Sequence, residues 1–77
     1  MSNEVTKTLG LSAMIWREEN LYVAWCPEVD VTSQGKNIEE ALSNLKEALE
    51  LYFSDEDVEK PVEREPPVIT MIKVKVK

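Results

Sequence analysis

Cys26, Glu28 and Asp30 fall within five residues of one another, and Glu18 and Glu19 stand a few positions earlier. A thiol among carboxylates could serve as a nucleophile, and four carboxylates could hold Mg²⁺ for phosphoryl chemistry. Neither chemistry is well supplied. The chain has no histidine, which removes the commonest general base, the Ser-His and Cys-His pairs and most transition-metal sites. Cys26 closes an apolar run with no cationic neighbour in sequence to favour its thiolate, so a buried structural cysteine is expected. The spacing of the four carboxylates is unspecific and fits a turn carrying solvated charge. Gly10 and Gly35 are the only glycines, and neither belongs to a phosphate-cradling loop. The expectation is therefore no catalytic residue, no cofactor and no metal, in a chain that is not an enzyme.

The elements around these residues point to binding. Leu9, Leu11, Ala13 and Ile15 recur two apart, the period of a strand, which is expected over 8–18. Glu18-Glu19-Asn20 interrupts the pattern, and a second β-rich run over 21–26 completes a hairpin in which Asn20 tolerates positive φ. Pro27 stops that run because it has no N–H to give to a ladder, and a short third strand is expected over 29–34 before Gly35. Ile38, Ala41, Leu42, Leu45, Ala48, Leu49 and Tyr52 then recur three and four apart, forming the apolar stripe of a helix over 38–54. Asn37 is its N-cap and Glu40, three residues on, completes a capping-box pattern. Residues 55–66 read as an acidic, solvated linker, and the alternation of Val68, Thr70, Ile72, Val74 and Val76 predicts a last strand over 67–76. Lys73, Lys75 and Lys77 on its other face suit an edge strand guarded against aggregation better than a nucleic-acid stripe. The fold class is α+β: a three-stranded antiparallel meander, one amphipathic helix and a final strand, in one domain over 1–77.

A hairpin turning at Glu19-Asn20 pairs Arg17 with Tyr22 and Ile15 with Ala24. Leu11, Ala13, Ile15, Tyr22, Ala24 and Cys26 then share one face, and Met14, Trp16, Leu21, Val23 and Trp25 share the other. One helix covers one face. The small Ala13 and Ala24 suit close approach of the helix, which leaves both tryptophans on the uncovered side. Exposed apolar patches anchored by tryptophan mark interfaces.

Composition bears on the partner. A 77-residue chain with one cysteine and no disulfide has a thin core and gains from self-association or partner binding. A formal charge of −6 disfavours phosphate backbones and anionic membranes and favours a basic protein. The start, Met1-Ser2-Asn3-Glu4, has no signal-peptide character and no run of about 20 apolar residues is present, so a cytoplasmic location is expected.

The stretch Tyr22-Val23-Ala24-Trp25-Cys26-Pro27-Glu28-Val29-Asp30-Val31-Thr32-Ser33-Gln34-Gly35, followed by Glu39-Glu40-Ala41-Leu42 and Asn44-Leu45-Lys46-Glu47-Ala48-Leu49, resembles the HicB antitoxin family. The likeness is clear over about Leu11 to Tyr52 and looser in the last strand. It is to the short, stand-alone form; longer members carry a C-terminal DNA-binding module that represses their own operon. The resemblance implies a partial RNase H-like fold without the nuclease's metal-binding carboxylates. It also implies a HicA partner, a small basic toxin that cleaves RNA with a histidine and is neutralised by coverage of its site. Asp30 stands where a glycine of the Pro-x-x-Gly turn is common, and Asn37 where threonine usually caps the helix. The function expected is that of a toxin–antitoxin system antitoxin, itself a homodimer, binding a HicA-type RNase through Trp16, Trp25, Val23, Glu28 and Asp30. Direct nucleic-acid binding is not expected. The alternative is an RNA-binding module on a degenerate RNase H-like scaffold.

Overall fold

The computed structural model describes residues 8–55, 57–61, 65 and 67–77. Part of the expected linker over 55–66 lies outside the described residues. Three strands and one helix follow in chain order: β1 (Met14–Glu18), β2 (Leu21–Cys26), β3 (Val31–Gly35) and α1 (Ile38–Tyr52). The strands form one antiparallel sheet in the order β1-β2-β3. The fold is α+β.

The register explains where the strands stop. Met14 pairs with Trp25, so extending β1 backwards would set Ser12 opposite Pro27, which has no N–H to give. The expected strand over 8–18 accordingly begins only at Met14. The Ser12 N–H is satisfied by the Glu28 carboxylate at 3.0 Å. β3 begins at Val31 rather than 29 because Asp30 is left-handed, with φ 55°. In the first hairpin Glu18 pairs with Leu21 across a two-residue turn. There the left-handed residue is Glu19 (φ 52°) and not Asn20.

The helix lies on β2 and β3. Ala24, Cys26, Ala41 and Leu45 make the buried centre, with Leu11, Ile15, Tyr22, Val29, Val31 and Leu49 packed around it. Ile38, Leu42 and Tyr52, at the margins of the stripe, remain exposed. The helix starts as its sequence requires: Asn37 Oδ1 accepts from the Glu40 N–H at 2.8 Å. The Glu40 carboxylate reaches past the cap residue to the Lys36 N–H at 3.0 Å, a displaced form of the reciprocal box. Two donors at the helix start depend on this pair. Asn37→Ala is expected to lower stability by about 1 kcal/mol in chemical denaturation, with Asn37→Ser close to wild type.

The strand expected over 67–76 is not in the sheet. Residues 67–77 lie outside helix and strand and are exposed throughout, Val68 at 90% and Met71 at 89%. Alternation equips a segment for half-burial, but a strand exists only beside a partner that takes its N–H and C=O groups. Among the described residues the sheet holds only β1, β2 and β3, and none of them pairs with this segment.

Candidate protein-binding face

Because side chains alternate across a strand, the register fixes what lies opposite the helix. Met14, Trp25 and Thr32 form one cross-strand row, and Trp16, Val23 and Gln34 the next, with Leu21 beyond them beside Glu18. Val23 sits at the crossing of these rows and is 9% exposed, whereas Trp16 (38%), Met14 (36%) and Leu21 (39%) keep substantial surface in solvent. Trp25 is half-buried. An apolar plate thus covers the side of the sheet that the helix leaves open, and its larger residues belong to the types that anchor interfaces.

Acidic groups fix the plate at two points. The Trp25 indole N–H donates to Asp30 Oδ1 at 2.7 Å, tying the ring to the β2–β3 turn. The Trp16 indole N–H donates to Glu18 Oε1 at 3.2 Å. Both indole donors are thereby occupied within the protomer, so the rings offer apolar faces to a partner. Asp30 also answers why an acid can stand at a turn position suited to glycine: left-handed backbone costs it roughly 1–2 kcal/mol, and its side chain recovers a charge-assisted bond to Trp25. At one end the plate falls into an open hollow of about 350 Å³ lined by Glu18, Glu19, Leu21, Val23 and Gln34. The hollow presents two carboxylates beside apolar carbon, which suits a cationic side chain with an aliphatic stem.

Of the residues expected to bind a partner, Trp16, Val23, Trp25 and Asp30 lie together on or beside this plate. Glu28 does not join them. Its Oε1 accepts from the Ser12 N–H and from the Cys26 thiol, whose sulfur lies at 3.3 Å, and Cys26 belongs to the face under the helix. Glu28 braces the Leu11–Ser12 segment against the end of β2. Glu28 is exposed; the slight desolvation there pushes its carboxyl up, but the hydrogen bonds from Ser12 and Cys26 outweigh this and hold it below the usual range. Burial, then the bond to Glu28, pushes the Cys26 thiol up, so the thiolate is depleted and the cysteine is structural. Among the described residues no group of three or more His, Cys, Asp and Glu side chains could hold a metal ion. No helix among them is long and apolar enough to cross a membrane.

The Glu28 bonds give a pH prediction. A carboxyl held low in the folded state contributes stability above its unfolded pKa and loses that contribution as pH falls through the folded value. Glu28→Gln is therefore expected to lower the melting temperature slightly at pH 7, with the gap to wild type narrowing as pH falls below the ordinary glutamate range. Melting curves from pH 3 to 7 measure this. A gap independent of pH would show that packing, not charge, sets the effect.

Gln34 and Thr32 escaped the reading of the face from sequence, because the pairing of β2 with β3 depends on the Pro27–Asp30 turn. A left-handed Asp30 was the missing signal.

The chain is similar to a UPF0150 protein of Helicobacter pylori strain J99. The two are 50% identical over 46 residues, which is 58% of this chain and 64% of that relative, so the match spans less than two thirds of the relative's length. No family model matches the chain. No solved structure matches it either.

Proposed function

We propose that this protein is a HicB-type antitoxin that binds and neutralises a small basic RNase toxin of HicA type by protein–protein contact, without catalysis. The reading is carried by one observation: an apolar, tryptophan-bearing sheet face that the chain's own helix does not cover, rimmed by Glu18, Glu19 and Asp30. Such a face attracts a cationic protein over distance and holds it by desolvation on contact. The formal charge of −6 adds to the same preference. Family likeness supports it as well, since UPF0150 proteins are HicB-like and the relative is half identical over the shared region. An RNA ligand is disfavoured, because the face is acidic where phosphates would have to lie.

Co-expression of the tagged chain with a basic, HicA-like protein encoded beside it tests the proposal. The expected result is a complex that survives gel filtration, together with loss of the toxin's RNA cleavage when this chain is added in equal amount. Unchanged cleavage at tenfold excess would overturn it. Salt-sensitive binding of the isolated chain to RNA, lost on removal of Lys73, Lys75 and Lys77, would replace it with the RNA-binding reading.

A further inference from the structure

Residues 67–77 have the side-chain order of a strand and are not paired in the sheet. Val68, Ile69, Met71, Ile72, Val74 and Val76 are 58–90% exposed, a concentration of apolar surface that a lone protomer seldom presents to water. The molecule measures 65 × 28 × 19 Å, so its long axis is more than twice either other extent. A 15-residue helix spans only about 22 Å, so the helix and sheet do not by themselves account for that length. The tail also differs from the rest in charge. Lys73, Lys75 and Lys77 give it +3 within a whole-chain −6, which leaves −9 on residues 1–66.

An acceptor exists at the opposite end of the sheet from the helix's main contact. β3 is held by α1, and the Asn44 side-chain amide donates to the Gln34 carbonyl at 2.8 Å. β1 is the other edge; four of its five residues are exposed, and Glu18 and Glu19 stand at its end. An edge of that kind takes an added strand through main-chain hydrogen bonds, with alternate side chains joining the two faces.

We infer that residues 68–76 of one copy add as a strand to the β1 edge of a second copy, running in the direction that sets Lys73, Lys75 and Lys77 against Glu18 and Glu19. Exchange in both directions closes a two-fold dimer, in which each tail satisfies the edge that the other protomer leaves open. Val68, Ile72, Val74 and Val76 then extend the face under the helix, and the lysines line the acidic end of the plate. The inference concerns the purified chain alone and stands or falls without the toxin.

Two measurements on the full chain test it. The first is sedimentation at tens of micromolar, where wild type is expected as a dimer and Val74→Pro as a monomer with an unchanged helical circular dichroism signal. Proline removes an N–H from the added strand, and its site is exposed, so the protomer keeps its fold. The second is carbodiimide cross-linking, which joins lysine amines to carboxylates, applied to an equal mixture of ¹⁴N and ¹⁵N protein. Links from Lys73, Lys75 or Lys77 to Glu18 or Glu19 that carry both isotope labels support the exchange. Links confined to one label place the tail on its own sheet and overturn it, as does a monomeric wild type or a Val74→Pro variant that remains dimeric.

Discussion

Trp16→Ala and Trp25→Ala each weaken the proposed toxin complex by roughly 30- to 1000-fold, the loss of about 2–4 kcal/mol typical of an aromatic anchor. The helix, sheet and melting behaviour of the Trp16→Ala variant stay near those of wild type. Trp16 is 38% exposed, so truncating it opens no cavity in the buried centre, which lies on the other side of the sheet. Trp25 is half-buried and bonded to Asp30, and its removal costs the free protomer some stability in addition. Glu47→Ala, a change on the exposed side of the helix, serves as the control and leaves affinity unaltered. Isothermal titration reads all three. Wild-type affinity in both tryptophan variants would remove the plate from the interface.

Gly35→Ala is expected to be strongly destabilising. A Cβ built there would lie 2.5 Å from the Ala41 nitrogen and 2.8 Å from the Glu40 carbonyl carbon, both backbone atoms of the first helical turn. Flexible side chains can yield to such a contact; a helix start held by Asn37 and Glu40 cannot move without losing its caps. Overpacking of this kind costs about 3 kcal/mol, a large share of the roughly 5 kcal/mol available to a small domain. The melting temperature is expected to fall by about 15 °C. Gly10→Ala provides the matched comparison, since nothing lies within 4 Å of a Cβ at that position. A thermal melt of Gly35→Ala within 3 °C of wild type would mean that the first helical turn lies farther from Gly35 than a 2.5 Å Cβ approach allows.

The helix, β2 and the first hairpin register were legible because each rests on a local rule. A stripe with period 3.6, a capping asparagine and a two-residue break specify those elements without knowledge of the rest. Strand limits at Met14 and Val31 were not legible. The first depends on Pro27 facing Ser12 across the sheet, and the second on a left-handed aspartate that no propensity announces. The tryptophan face followed from alternation alone, whereas the departure of Glu28 depended on Ser12 folding back over the end of β2. The expected last strand is absent from this sheet for a different reason. Its pattern states what the segment can pair as, but partners are a property of the assembled sheet, and no strand of this protomer's sheet pairs with it.

The sheet order β1-β2-β3, with α1 next in the chain and laid on β2 and β3, makes every neighbouring pair of elements close in sequence. Loops are short, little closure entropy is spent before contacts form, and chains wired this way reach their native state quickly. All the pairings of the meander and its helix are present within residues 14–52. That unit can therefore form ahead of any pairing made by the lysine-bearing segment over 67–77.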